Sequence, residues 1–230
     1  MKKNKRKTTR KVVRRKTYRP ALPLNGFADQ CVCKHRYTDQ FTIQYKGTDQ
    51  QTSSKSYSCN SMYDPNATIG VGQSQPRGFD EMMAVYKKYH VLGSKATIRA
   101  VFNDQTSATG IVWGCKLSGN TGTLAGKTVV DLMEIKGTRS RISQVNTQNA
   151  SFTRGQQVVV KYSPKRIHGS GFVMSDRNEG NDGSDPSEQE FFETYVCPLR
   201  ANNSGTLNAH FIITIDYICK YTDRKFLPQS

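Results

Sequence analysis

Apolar and polar residues alternate along most of the chain after residue 30. The longest alternating run lies near the end, where apolar or aromatic side chains occupy every odd position from Leu207 to Tyr221 and polar side chains occupy most even positions. A period of two is typical of a β-strand with one buried face. The same pattern, complete or partial, predicts seven earlier strands, at Cys31–Tyr45, Ser54–Tyr63, Leu92–Phe102, Ile111–Leu117, Thr138–Asn146, Gln157–Tyr162 and Phe191–Cys197.

Two short segments depart from this period. Phe79, Met82, Met83 and Tyr86 recur at intervals of three and four, directly after Gly78. This spacing predicts one short amphipathic helix. A second short helix is predicted at residues 128–135.

Eight predicted strands and one or two short helices define an all-β chain. Long, uneven loops favour an eight-stranded jelly-roll sandwich over an up-and-down barrel, whose hairpin connections are shorter. The 211 residues after residue 19 have the size of one β-sandwich domain. We therefore predict a single jelly-roll domain over residues 31–230, with the helices lodged in its loops.

The positive charge is concentrated at the amino terminus. The chain has 34 basic and 18 acidic residues, a net charge of +16. Eleven of the basic residues and none of the acidic ones fall in residues 1–19, which leaves 23 basic and 18 acidic residues in the rest of the chain, a net charge of +5. These eleven are Lys2, Lys3, Lys5, Arg6, Lys7, Arg10, Lys11, Arg14, Arg15, Lys16 and Arg19.

Such a polycation binds nucleic acid without reading its sequence, because each neutralised phosphate releases condensed counterions. It also resembles a nuclear-import signal. With few apolar residues, residues 1–19 are predicted to be a disordered arm that folds only against nucleic acid, where Tyr18 can stack on a base. Residues 20–30 are predicted to be a hinge. A merely solubilising tail is the alternative, although acidic residues would serve that purpose better.

Composition also excludes several classes. No apolar run follows the basic start, and no stretch reaches the roughly 20 apolar residues that span a bilayer, so we predict neither secretion nor membrane insertion. The six cysteines lie mostly within predicted strands and lack the dense spacing of a disulfide scaffold. They are interpreted as reduced core thiols of an intracellular protein.

Three motifs suggest chemistry but are incomplete. Ala125–Thr128 ends like a phosphate-binding loop, but its first glycine is one position out of place. Asp176–Glu190 resembles a calcium loop without its bidentate glutamate, and is interpreted as a solvated loop. Cys31, Cys33 and His35 share a strand face but have no second cluster with zinc spacing, so they are interpreted as buried strand residues. We predict no enzyme, no cofactor and no metal.

Four further cations fall on the polar side of predicted strands. They are Lys34, Arg36, Lys95 and Arg99. They are candidates for an inner basic face that contacts nucleic acid, and the alternative is that each is only the exposed side of its strand.

Three segments, in this order behind a basic amino terminus, carry a family resemblance. They are Ser58–Asn66 (SCNSMYDPN), Gln75–Glu81 (QPRGFDE) and Gly93–Ala96 (GSKA). The chain resembles the capsid proteins of circovirus-like viruses, whose circular single-stranded DNA genomes encode a Rep protein. The resemblance covers the arm and roughly residues 30–105, and beyond that only the strand pattern remains.

The resemblance implies a subunit that assembles with itself into an icosahedral T=1 shell of about 60 copies. It implies that the arm lines the interior, packages a single-stranded DNA genome and engages host nuclear-import receptors, and that the virion binds a host-cell receptor. The expected locations are the virion and the host nucleus. Two alternatives stay open: a capsid protein of a small RNA virus, and a non-capsid protein that binds single-stranded nucleic acid.

Overall fold

The computed structural model of the chain describes residues 27–46, 50–67, 75–103, 110–143, 156–199 and 206–225. Nine strands and three short α-helices lie within these ranges. The strands are β1 (Cys31–Lys46), β2 (Ser53–Ser58), β3 (Tyr86–Asn103), β4 (Ile111–Ser118), β5 (Arg139–Ser143), β6 (Gln157–Tyr162), β7 (Glu179–Gly180), β8 (Phe191–Pro198) and β9 (Thr206–Arg224). The helices are α1 (Phe79–Val85), α2 (Val129–Glu134) and α3 (Pro164–Ile167), and a 3-10 turn covers Asp176–Asn178.

The strands form two antiparallel sheets. The first sheet has the order β1-β9-β3-β6, with β7 paired to β3, and the second sheet has the order β2-β8-β4-β5. Each sheet thus joins strands that are distant in sequence, and the chain crosses between the sheets several times. This is the strand order of a jelly roll. The predicted fold class is confirmed, as are all eight predicted strands.

The core lies between the two sheets and is rich in aromatic side chains. Phe211 of β9 stacks on Phe41 of β1, with ring centroids 5.4 Å apart, and meets Trp113 of the second sheet at 5.6 Å. All three side chains are buried, as are Ile213 and Ile215 further along β9. The odd positions of β9 therefore face the core, as the alternation predicts.

The second strand ends earlier than predicted. Its strand hydrogen bonds stop at Ser58, whereas the alternation continues to Tyr63. Ser58 Oγ accepts a hydrogen bond from the backbone N–H of Ser61 at 2.9 Å, which closes a turn. Asn60 and Ser61 are buried there, and the Asn60 amide donates to the carbonyl oxygen of Glu188 at 2.7 Å. The local hydrogen bond between Ser58 and Ser61 and the long-range one between Asn60 and Glu188 take the place of the strand ladder and end it.

The interpretation of residues 176–190 as a solvated loop is wrong for its first third. Asn178 is fully buried, and its amide donates to the carbonyl oxygens of Val91 at 3.2 Å and Val173 at 3.0 Å. Glu179 and Gly180 then pair with β3 as β7. Polar composition predicts solvent exposure, but an asparagine that satisfies buried carbonyls is itself buried.

Both predicted helices are present and begin at identifiable residues. α1 starts after Gly78, whose φ of 81° is left-handed, and Phe79 packs edge-on against Tyr89 at 5.4 Å. α2 starts with a capping box, in which Thr128 accepts from the backbone N–H of Asp131 and Asp131 accepts from that of Thr128. α2 places Leu132 on the outer face of the second sheet, beside Tyr195.

The last residues of the predicted hinge contact the first sheet. Tyr86 donates a hydrogen bond to the carbonyl oxygen of Ala28 at 2.8 Å, and Arg224 donates one to that of Phe27 at 2.8 Å. The chain therefore enters β1 along the end of β3 and β9. The predicted boundaries at residues 19 and 30 stay predictions.

A glycine in the second sheet makes room for a tyrosine ring. Gly114 of β4 lies opposite Tyr195 of β8 and Ser140 of β5, and the Tyr195 hydroxyl meets Ser140 Oγ at 2.6 Å. A Cβ atom on Gly114 would overlap the carbonyl oxygen of Arg139 and lie 2.6 Å from the Tyr195 hydroxyl. The backbone approach at this point requires glycine.

We predict that Gly114→Ala destabilises the domain by about 2 kcal/mol or more, because the added methyl group meets backbone and cannot be relieved by a side-chain rotation. The measurement is the free energy of unfolding in urea. Gly171→Ala is the matched control, since a Cβ atom there has nothing within 4 Å, and it should change stability by no more than about 0.5 kcal/mol. Equal effects of the two substitutions would contradict the prediction.

Candidate nucleic-acid interface

The eleven predicted binding residues of the arm lie outside the described residues, which begin at Phe27. The assignment of Lys2, Lys3, Lys5, Arg6, Lys7, Arg10, Lys11, Arg14, Arg15, Lys16 and Arg19 to nucleic-acid binding therefore stays a prediction. The arm continues through residues 20–30 into β1, at the edge of the first sheet.

The outward face of the first sheet carries a row of charges. Strand pairing places Arg36 of β1 opposite Asp216 of β9, Asp216 opposite Lys95 of β3, and Lys95 opposite Lys161 of β6. These side chains alternate with the buried residues of the same strands and so point away from the core. The row spans four strands and has three cations and one acid.

The other predicted cations of this face lie in neighbouring rows. Arg99 is opposite Ile212 of β9, and Lys34 is opposite Ile218. Arg99, Lys34 and Arg36 are exposed, and Lys95 is half-buried. The structure thus brings together all four cations that the sequence suggested, on the solvent side of one sheet. We call the outward face of β1, β9, β3 and β6 the basic face.

The single acidic residue in the row, Asp216, forms two ion pairs. Arg36 Nε lies 2.7 Å from Asp216 Oδ1, and Lys95 Nζ lies 3.1 Å from Asp216 Oδ2. Partial burial alone would raise the pKa of Asp216, but hydrogen bonds from Arg36 and Lys95, together with their charges, hold this pKa below its ordinary value. The hydrogen bond to Asp216 in turn raises the pKa of Arg36. Asp216 and Arg36 are therefore both charged at neutral pH.

Sequence reasoning did not single out Lys161, Lys136 or Arg166. Alternation in β6, where Val158 and Val160 are buried, would have placed Lys161 outward. Its position beside Lys95 required the β3–β6 pairing, which periodicity does not contain. Arg166 lies on α3, which the sequence analysis did not predict.

The segment that ends like a phosphate-binding loop serves to attach α2. The backbone N–H of Gly126 donates to the carbonyl oxygen of Thr52 at 2.9 Å, and Thr52 donates back to the carbonyl oxygen of Lys127. The N–H of Thr128 donates to Asp131. These amide groups are engaged with the protein itself.

Cys31, Cys33 and His35 lie on the core side of β1. The two sulfur atoms are 3.2 Å apart, and both cysteines are half-buried. His35 is buried, with Nε2 2.8 Å from the Tyr221 hydroxyl and Nδ1 3.2 Å from the carbonyl oxygen of Arg77. Both ring nitrogens of His35 therefore have protein partners.

Neither a metal cluster nor a membrane-spanning helix is found in the part of the chain that the structure describes. No group of three or more His, Cys, Asp or Glu side chains there is arranged to hold a metal ion. No helix there has the length and apolar character needed to cross a membrane.

Comparisons of sequence with known proteins return nothing: no protein-family model and no curated protein matches the chain.

Comparison of structures returns viral coat proteins at low similarity. Desmodium yellow mottle tymovirus is 12% identical with a TM-score of 0.40, and the match covers 93% of this chain and 99% of that one. Mud crab tombus-like virus is 9% identical with a TM-score of 0.46, covering 88% and 94%. The decameric BFDV capsid protein is 11% identical with a TM-score of 0.43, covering 84% and 100%. At these identities and TM-scores the similarities do not assign a function.

We predict that Asp216→Asn strengthens binding to a single-stranded oligonucleotide, because it frees Arg36 and Lys95 to meet phosphates. The dependence of log affinity on log salt should steepen by about 1.4, since each of the two freed cations adds a phosphate contact that contributes roughly 0.7. Fluorescence anisotropy at several salt concentrations measures this slope. The matched control is Asp182→Asn, which frees Lys225 (3.1 Å away) at a different surface. The prediction fails if both variants change the slope equally.

Proposed function

We propose that this chain is a viral capsid protein that assembles into an icosahedral shell and packages a single-stranded DNA genome through its basic arm. The proposal rests on one observation: the jelly roll is preceded in the chain by an arm that has eleven basic residues and no acidic residue. A jelly-roll domain provides a rigid building block with defined edges, and the arm provides sequence-independent affinity for a polyanion. The basic face lies on the same sheet as the strand that the arm enters.

Self-association is supported by apolar side chains that the isolated domain leaves in solvent. Val130 and Met133 of α2 are 66% and 52% exposed, and Ile142 of β5 is 54% exposed. All three belong to the second sheet or to the helix that covers it. Exposed apolar side chains on a folded domain are typical of contacts between proteins. In the proposed shell, of T=1 geometry with about 60 copies, neighbouring subunits would cover them.

The orientation follows from charge. A shell that encloses a nucleic acid turns its most basic surface inward, so the basic face and the arm are proposed to line the interior. The second sheet, α2 and the loops between strands then meet neighbours or the outside. The role is structural, with no catalytic step and no cofactor.

DNA rather than RNA is proposed from the three segments that resemble circovirus-like capsid proteins. The arm is also proposed to bind host import receptors, which would bring the protein to the nucleus. The mature location is the virion, which must in addition bind a receptor on the host cell.

Purified full-length protein is expected to form uniform shells in negative-stain electron micrographs. Their ratio of absorbance at 260 and 280 nm reports bound nucleic acid, and nuclease digestion after shell disruption distinguishes DNA from RNA. Particles that contain RNA would favour the RNA-virus alternative. Species that stay small after single-stranded DNA is added at low salt would contradict the shell and favour a non-capsid binding protein.

Deletion of residues 2–19 is expected to leave the β domain folded, because its core lies between two sheets that begin at Cys31, while removing most of the affinity for single-stranded DNA. With eleven cations lost, the salt slope should fall by as much as about 8. Unchanged affinity and slope would refute the role of the arm.

The proposed import activity of the arm is tested separately. Residues 1–19 fused to a fluorescent protein should accumulate in nuclei, and fluorescence confined to the cytoplasm would exclude this import activity.

A further inference from the structure

A groove of about 1340 Å³ runs along the basic face. β1 forms one side of it through Lys34 and Arg36, and β6 and α3 form the other through Lys161 and Arg166. Between these sides the groove crosses β9 and β3. It is therefore built mainly by four strands of the first sheet and one helix, with Leu117 of β4 and Lys136 also in its lining, and these come together only in the folded domain.

The floor of the groove contains aliphatic side chains that the domain itself does not cover. Ile218 of β9 and Ile167 of α3 line the groove and are 43% and 46% exposed. Leu92 also lines it, at the irregularity between Val91 and Gly93 where the pairing of β3 with β9 shifts. Gly93 adds no side chain above the floor. The outward face of the first sheet thus has an apolar strip along this groove.

The charges around the strip have one sign. Six cations line the groove, against Asp216 as its one acid: Lys34, Arg36, Lys95, Lys136, Lys161 and Arg166. Asp216 is already shared by Arg36 and Lys95. Lys34, Lys161 and Arg166 are exposed and form no ion pair with any residue that the structure describes. The occupant that complements this lining is an anion with apolar surface.

We propose that the groove is a second binding site for single-stranded nucleic acid, separate from the arm. The cations on the two sides hold phosphates, and the faces of the bases rest on Leu92, Ile167 and Ile218. A duplex hides its base faces in the stack, so it could use the cations but not the floor, whereas an unpaired strand uses both. The arm of another copy is excluded as occupant because it is a polycation itself. The inference rests on the proposed nucleic-acid function but not on shell formation.

The position of the groove on the chain makes it cooperate with the arm. Fifteen positions separate Arg19, the last cation of the arm, from Lys34 at the side of the groove. A strand held by the arm is therefore presented to the groove at high effective concentration, and the two sites together bind more tightly than either alone. The arm contributes attraction without register, and the groove orders the strand along the sheet.

The test compares two triple variants of the full-length protein that remove equal charge. The groove variant is Lys34→Gln, Lys161→Gln and Arg166→Gln. The control variant is Lys87→Gln, Lys127→Gln and Arg77→Gln, whose residues are also exposed and do not line the groove. Binding of an oligothymidylate of about 20 nucleotides is measured by anisotropy as a function of salt. Loss of three phosphate contacts should lower the salt slope by about 2, which is about 100-fold in affinity at 0.1 M salt.

The control variant is expected to keep nearly the full slope. An equal loss of salt slope in the two triple variants would overturn the groove proposal, because it would mean that the protein attracts the strand only through its net charge.

Contact between the bases and the aliphatic floor of the groove is tested separately. Wild-type protein should bind the oligothymidylate more tightly than an abasic strand of the same length, and Ile218→Ser should reduce this preference by about fivefold or more. Ile142→Ser, at an isoleucine of the second sheet that is somewhat more exposed than Ile218, should not reduce it. If the wild-type protein shows no preference, or both substitutions act alike, base contact in the groove is refuted.

Electron micrographs of the same preparations separate the two proposals. If the wild-type protein forms shells but the groove variant binds with the same salt slope as the control variant, the groove proposal is refuted and the capsid proposal stands. If the wild-type protein forms no shells but only the groove variant has a reduced salt slope, the capsid proposal is refuted and the groove proposal is supported.

Discussion

The double pairing of β9 is the interaction on which the rest of the structure depends. This strand, Thr206–Arg224, is hydrogen-bonded to β1 along one edge and to β3 along the other, so the last long segment of the chain joins segments that lie more than 100 residues earlier. Its odd residues supply the centre of the core, where Phe211 contacts both Phe41 and Trp113. Contacts of such large sequence separation form late and at high entropic cost. Once they form, the position of every other strand of the first sheet follows.

The register of β9 also creates the basic face. Because successive side chains of a strand point to opposite sides, the register that buries Tyr217 against the core exposes Asp216 and Ile218. A slip by one residue would bury charges and expose the aromatic core, so core stability and surface chemistry are held by the same hydrogen bonds. The groove is thus a rigid surface, supported by the strand with the most extensive pairing in the described structure. This rigidity complements the charge that the arm is proposed to contribute.

The two sheets divide the proposed tasks. The first sheet keeps its outward face open and basic, whereas the outward face of the second sheet is covered by α2 and the loop before it, with Leu124 and Leu132 against Tyr195. Glu193, fully buried on the second sheet, is satisfied by Ser54 at 2.8 Å and by the backbone N–H of Leu124 at 2.8 Å, which fixes that loop to the sheet. The cover itself exposes Val130 and Met133. One face is therefore suited to a polyanion and the other to a protein neighbour.

The sequence by itself determined eight of the nine strands and two of the three α-helices of the described residues. It also determined the outward position of Lys34, Arg36, Lys95 and Arg99, because a period of two records which side of a strand meets the core. It also determined the concentration of charge in residues 1–19. Only the tertiary structure decided that Lys161 lies beside Lys95, that α3 and Arg166 form a side of the groove, and that β2 stops at Ser58. Those facts depend on hydrogen bonds between residues far apart in the chain, such as Asn60 with Glu188. Periodicity reports the environment of each residue but not the identity of its neighbours.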